Sequence, residues 1–260
     1  MPTPPARPAP APAKRARRPG RRRHPLPVGR LVPVAALVVF VLVTVDVLVG
    51  GPLTHLDATV SAWALSTGVP GAGWHRPGQE GADQLVNLGD REVVGIIVLI
   101  AIGWICVRAR TALPLVRLAV LAGVTASIVL SLKYGIGRPA PSGVQGPEAF
   151  HSYPSGHMAT AVILWGTLYS VVAEHEDRAV SRQVAWLLSW LAPVLVMVGM
   201  VLRDYHWITD LVGAAALCTV LLQAERLALR HWRGARRGPE SAARARDGSA
   251  AAVGTAPGPG

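Results

Sequence analysis

The sequence predicts an all-α fold: a polytopic membrane bundle of six transmembrane helices with both termini cytoplasmic. Three observations predict it. The 260 residues are 51% hydrophobic and 16% charged, with mean hydropathy +0.36, too apolar for a soluble domain of this size. Six apolar runs of spanning or near-spanning length follow one another along the chain. The net charge of +11 is piled at the two ends: residues 1–30 hold nine Lys/Arg and no acid, and residues 225–260 hold seven Arg.

Taken in order, residues 1–30 are Pro-, Ala- and Arg-rich without a hydrophobic period, and are expected to be a disordered tail. A cleaved signal peptide fits poorly, because the apolar run behind them is long enough to span. The spans are expected at about 31–49, 93–107, 112–132, 156–173, 184–201 and 211–227. The membrane unit is thus placed at 31–228, and residues 229–260 read as a basic, flexible C-terminal tail ending in the small residues 247–260. The long connection 50–92 has an apolar rhythm through Leu56, Val60, Trp63 and Leu65, which predicts a short interfacial helix, with Trp63 and Trp74 as anchors among head groups.

Orientation follows from the loops. The short connections 108–111 and 174–183 carry Arg108, Arg110, Arg178 and Arg182, and both tails fall on their side, which is therefore expected to be cytoplasmic. The first outer connection holds five acids against two Arg. Orientation is the plain reading of the basic tails, with attraction to anionic lipid as a by-product. Nucleic-acid binding is not expected, since neither tail shows aromatic interleaving or a known module.

Cys106 and Cys218 lie inside apolar runs and read as small hydrophobes; no disulfide framework or Cys/His metal spacing is present. Trp165, Trp186 and Trp190 read as packing or belt residues, and Asp46 as an interfacial group or a polar contact within the bundle. Only two lysines stand against 24 arginines, and one of them, Lys133, follows an apolar helix.

This topology gathers Lys133, Arg138, Ser155, Gly156, His157, Arg203, His206 and Asp210 at the outer boundary. Titratable groups there are costly unless they have work to do. Ser155-Gly156 opens the fourth span, so it would present a hydroxyl and bare amides to an anion. An ordinary N-cap stays open for that segment alone. His206 and Asp210 are spaced i, i+4, so on a helix the carboxylate would fix the imidazole tautomer and leave the other nitrogen free to attack. A capped, satisfied histidine is the alternative there. Together the residues make a kit for phosphoryl transfer: one His attacks, another protonates the leaving oxygen, and cations with amides hold the non-bridging oxygens. No cofactor is expected, and no metal. A metal held by His157, His206 and Asp210 is the weaker reading, because the surplus of Arg and Lys would repel a divalent ion.

These residues resemble the membrane-bound type 2 phosphatidic acid phosphatase superfamily, the lipid phosphate phosphatases. The likeness spans about residues 31–228. The family's motifs are Lys-x6-Arg-Pro, Pro-Ser-Gly-His and Ser-Arg-x5-His-x3-Asp. Pro154-Ser155-Gly156-His157 matches the second in full, His206-x3-Asp210 matches the end of the third, and Lys133 opens the first. The chain departs where Ala140-Pro141 stands for Arg-Pro, and where Gly199-Met200 stands for Ser-Arg. Arg138-Pro139 and Arg203 are the displaced candidates.

The resemblance implies that His206 is the nucleophile and forms a phosphohistidine. It implies that Asp210 orients His206, that His157 protonates the leaving group, and that Ser155 and Gly156 contact the phosphate. Lys133, Arg138 and Arg203 would form the cationic clamp. The expected activity is hydrolysis of a lipid phosphate, of isoprenoid phosphate or diphosphate type or of phosphatidic acid type. It would occur at the extracytoplasmic face of a plasma membrane, with the substrate's tail in the bilayer. Two competitors remain: an impaired relative that binds a head group or serves as a partner subunit, and a small transporter or flippase using the same site.

Overall fold

The computed structural model describes the backbone of residues 28–70, 77–141 and 151–253, and side chains of residues 31–70, 78–141 and 151–235. The expected tail before Val28, Trp74, and the far end of the C-terminal tail lie outside the described residues. All regular structure among the described residues is helical: α1 (Val28–Val49), α2 (Pro52–Ser66), α3 (Pro77–Asn87), α4 (Arg91–Ala109), α5 (Leu113–Ile136), α6 (Gly156–His175), α7 (Ala179–Leu202) and α8 (Ile208–Val253). Six of these, α1 and α4 to α8, are long and apolar enough to cross a membrane.

Local chemistry sets the ends. Asp90 caps α4 by accepting from the N–H groups of Glu92 and Val93 at 2.8 and 2.9 Å. Pro52 and Pro114 stand in the first turns of α2 and α5, where a missing N–H costs nothing. Gly137, in the left-handed region at φ 61°, ends α5. Asp46, near the end of α1, accepts from the N–H of Leu53 in the first turn of α2, a contact inside the fold.

α6 is the central helix: two thirds of its spanning window is buried, against 6% for α1. One apolar cluster joins Val98 and Ile102 of α4, Met158 and Ala161 of α6, Val196 and Met200 of α7, and Leu211 of α8. A second joins Leu121 and Val129 of α5, Ile163 of α6, and Cys218 and Leu222 of α8. Both cysteines are buried and unpaired, as expected. Trp165 is buried and its indole N–H donates to the Leu88 carbonyl at 3.1 Å, whereas Trp186 and Trp190 are exposed on the apolar surface.

Two elements differ from expectation. α3 was not foreseen, since its residues are mostly polar. It exists because α7 receives it closely. A Cβ on Gly199 would meet the Ala82 carbonyl and the Leu85 Cβ at 2.8 Å, so only glycine allows this approach. The second difference is α8, which continues helically to Val253 through the segment read as a flexible tail. That segment is rich in Ala and Arg, both strong helix formers.

Candidate functional site

The site forms where the N-terminal ends of α4, α6 and α8 meet the C-terminal end of α5. Ser155 caps α6 through its Oγ, which accepts from the Met158 N–H at 3.4 Å. Its own N–H donates to the Asp210 carbonyl at 3.2 Å. That bond joins the two segments singled out in the sequence. Gly156 and His157 are the first two residues of α6, and both are partly exposed. His157 lies close enough to Asp90 for its charge to act on that carboxyl, which is held below the usual carboxylate range. The Val93 N–H is the main cause, helped by the Glu92 N–H, His157 and Arg91, while burial opposes them.

His206 does not sit on a helix as the i, i+4 spacing suggested. It precedes α8, and Asp210 lies in the first turn of that helix. The expected contact forms all the same: His206 Nδ1 and Asp210 Oδ2 are 3.2 Å apart. The reason is a capping arrangement. Asp210 Oδ2 also accepts from the Trp207 backbone N–H at 3.2 Å, so the third helical residue reaches back to the cap. Asp210 is fully buried.

Arg138 lies just beyond α5. Its Nη1 donates to Asp210 Oδ1 at 2.5 Å and to Thr209 Oγ1 at 2.6 Å, and its Nη2 donates to Asp57 Oδ2 at 2.6 Å. Three of its five N–H donors are thus engaged, which leaves two for a ligand. The guanidinium also lies 5.5 Å from the centre of the Trp207 ring. Loop and helix are pinned further, because Trp207 Nε1 donates to the Pro139 carbonyl at 2.7 Å and the Ser152 N–H to the Arg138 carbonyl at 2.9 Å.

Asp57, on α2, is the site residue that sequence reasoning missed. Only 2% of it is exposed. Its Oδ1 accepts from the Thr209 N–H at 3.0 Å and its Oδ2 from the Thr209 hydroxyl at 2.7 Å, besides Arg138. Two carboxylates, Asp57 and Asp210, therefore serve the first turn of α8. A single acid in the predicted interfacial helix was the available signal, but nothing in the sequence says that it turns inward.

Lys133, in the last turn of α5, donates from Nζ to the His151 carbonyl at 2.5 Å. The His151 ring stands 4.7 Å from that of Tyr134. Tyr153 is fully buried, and its hydroxyl pairs with Thr44 Oγ1 of α1 at 2.7 Å. Gly213 leaves room for its ring: a Cβ there would come within 2.7 Å of Tyr153 Cε2.

Arg203 ends α7. Its Nε forms an ion pair with Asp83 of α3 at 2.8 Å, bent away from hydrogen-bond geometry. Its Nη2 donates to the Tyr205 hydroxyl at 2.7 Å, and its Nη1 to the Val69 carbonyl at 3.4 Å. Met200, where the resembled family has arginine, is buried in the apolar core. Gly199, Met200 and Arg203 together receive and anchor α3. The departure from the motif is thus a change in what packs against α7.

Comparison with known proteins agrees with this geometry. Residues 114–233 match the profile of the PAP2 superfamily, a stretch that contains every residue of the predicted site. The structure resembles that of a transmembrane PAP2 type phosphatidylglycerolphosphate phosphatase from Bacillus subtilis. The TM-score is 0.64 and the identity 19%, over 77% of this chain and 96% of that one. No curated protein matches the sequence at a significant level. With an intact Pro-Ser-Gly-His segment bonded to the His-x3-Asp segment, inside a helical bundle with six candidate spans, the chain is a multi-pass membrane protein whose residues 114–233 match the PAP2 superfamily.

Proposed function

We propose that the protein hydrolyses a lipid phosphate at the extracytoplasmic face of the plasma membrane, through a phosphohistidine on His206. The observation that carries this reading is the His206–Asp210 pair at 3.2 Å, joined through the Asp210 carbonyl to the Ser155 N–H at the start of α6. Asp210 accepts at Nδ1, so the lone pair on Nε2 is the one left to attack phosphorus. Attack forms the N–P bond and breaks the P–O bond to the lipid. His157 supplies the proton to the leaving oxygen, and a water then takes the phosphoryl group from His206.

The non-bridging oxygens lie against Gly156 at the N-terminal end of α6, with the Ser155 hydroxyl and Lys133. Arg138 and Arg203 complete the clamp with the N–H groups their carboxylate partners leave unused. The substrate is a phosphomonoester or diphosphate on a membrane-anchored tail, of phospholipid or isoprenoid class. The apolar surfaces of α1, α4 and α5 keep that tail in the bilayer.

A second reading is a head-group-binding relative without turnover. It is favoured by Ala140 and Met200, and by the carboxylates that occupy both displaced arginines. One assay separates the two. Phosphate release is measured in vesicles carrying phosphatidic acid, phosphatidylglycerol phosphate or an isoprenoid diphosphate. Release from at least one class, abolished in His206→Ala, is the expected result. No release from any class by the parent protein selects the binding reading, and release that survives His206→Ala removes the assigned nucleophile.

A further inference from the structure

The end of the bundle opposite this site holds a second polar cluster. The 20 residues of α6 separate the two ends by about 30 Å. Arg117 of α5 is buried there, paired with Glu174 of α6 at 2.9 Å and with Glu225 of α8 at 2.6 Å. Arg233 of α8 also reaches Glu174, at 2.6 Å. Closer to the membrane interior, Arg226 donates to Ser170 Oγ through Nε at 3.2 Å and Nη2 at 2.9 Å, and lies 5.9 Å from the centre of the Tyr169 ring. Arg230 follows Arg226 by four residues on the same face of α8. It has no acceptor among the described residues.

Charge does not balance in this cluster. Four arginines (117, 226, 230 and 233) stand against two glutamates (174 and 225), and both carboxylates are taken by Arg117 and Arg233. The surplus of two falls to Arg226 and Arg230. These two border a cleft of about 260 Å³ between α6 and α8, whose other walls include Tyr169, Ala173 and Leu229. Arg226 and Arg230 form its cationic side, Tyr169, Ala173 and Leu229 its apolar side, and the Ser170 hydroxyl and the paired Glu174 and Arg233 also line it. It opens along α8 at Arg226, Leu229 and Arg230.

We propose that this cleft binds the head group of an anionic phospholipid from the leaflet opposite the reaction. A phosphodiester carries one negative charge and planar acceptor oxygens that match guanidinium forks. Arg230 and the uncommitted edge of Arg226 would take those oxygens. Tyr169, Ala173 and Leu229 would line the start of an acyl chain, which continues down the apolar surface. Burying one anion at this end halves the uncompensated charge and ties α6 to α8 by their distal turns. The proposal does not depend on the phosphatase reading.

The test uses the full chain in neutral detergent with phosphatidylglycerol and phosphatidylcholine titrated in equal amounts, and native mass spectrometry to count retained lipid. Phosphatidylglycerol is expected to be retained and phosphatidylcholine not. Arg230→Gln should weaken retention about tenfold, the loss of one charge-assisted contact, while phosphate release at the other end stays at the parent level. Arg230 is exposed and bonds to nothing described, so this variant keeps the fold. Arg226→Gln should weaken retention further. Equal retention of the two lipids, or undiminished retention in Arg230→Gln, overturns the proposal. Displacement of the lipid by millimolar inorganic phosphate also overturns it, assigning the cleft to a free anion.

Discussion

Asp57 and Arg138 meet at 2.6 Å although 81 positions separate them in the chain. The carboxylate is buried and the guanidinium nearly so, with the side chains 1% and 10% exposed. The same guanidinium reaches Asp210, which holds His206. The short helix α2, the segment after α5 and the start of α8 thus share one ionic lattice. The proposed nucleophile stands at its end.

Replacing Asp57 by Ala leaves Arg138 and the Thr209 N–H without their buried acceptor. Breaking one side of such a pair costs about 3–5 kcal/mol, so thermal unfolding of the purified protein should occur at clearly lower temperature. Asp57→Asn keeps the shape and loses only the charge. It should fold, yet lower kcat for lipid phosphate release by about tenfold or more, because Arg138 then pulls harder on Asp210. A lowered unfolding temperature with unchanged kcat would confine Asp57 to holding the fold.

Asp210→Asn addresses the imidazole directly. An amide in place of the carboxylate no longer fixes the His206 tautomer, and kcat should fall by a factor on the order of 10³–10⁴, the scale seen when the carboxylate behind a catalytic histidine is neutralised. Substrate binding, read as KM, should change far less. A comparable loss in KM alone would mean that Asp210 serves the substrate pocket and not the nucleophile.

Gly199→Ser restores the family residue and tests the account of α3. Its Cβ would press on the Ala82 carbonyl and on Leu85 at 2.8 Å. Overpacking of this kind costs about 1–3 kcal/mol. Hydrogen exchange across residues 77–87 should quicken, and the Arg203–Asp83 pair should loosen. Unaltered exchange there would show that α3 docks without needing a glycine.

Asp90→Ala removes the cap of α4. At neutral pH the cost should be about 1 kcal/mol. The sign of its pH dependence follows from the direction of the shift. The Asp90 carboxyl is held low in the folded chain, so its contribution is full above the ordinary carboxylate range and fades as pH falls through the folded value. The gap in unfolding temperature between parent and variant should therefore narrow in acid. A gap that widens on acidification contradicts the capping role.

Long apolar runs made the six spans legible, with most ends placed to within a few residues but not the far end of α8, since a membrane-crossing helix writes its length into composition. The pairing of His206 with Asp210 was legible for a similar reason, as a spacing of four survives even where the histidine sits two residues before the helix. Asp57 was not legible: its role depends on α2 folding back against α8, a contact between distant parts of the chain. α3 was hidden because its polar, glycine-containing residues carry no strong period, and the residue that admits it lies on α7. Arg138 and Arg203 were found as residues, but their carboxylate partners on α2 and α3 could not be read from local sequence.

α1 exposes nearly all of its Leu and Val side chains, and Thr44 makes its polar link to the site through Tyr153. A helix bathed in hydrocarbon can exchange one aliphatic residue for another without altering anything it touches. Its sequence is then free to drift while its position is kept. The family profile covers residues 114–233, and the backbone likeness to the Bacillus subtilis structure extends over 77% of the chain.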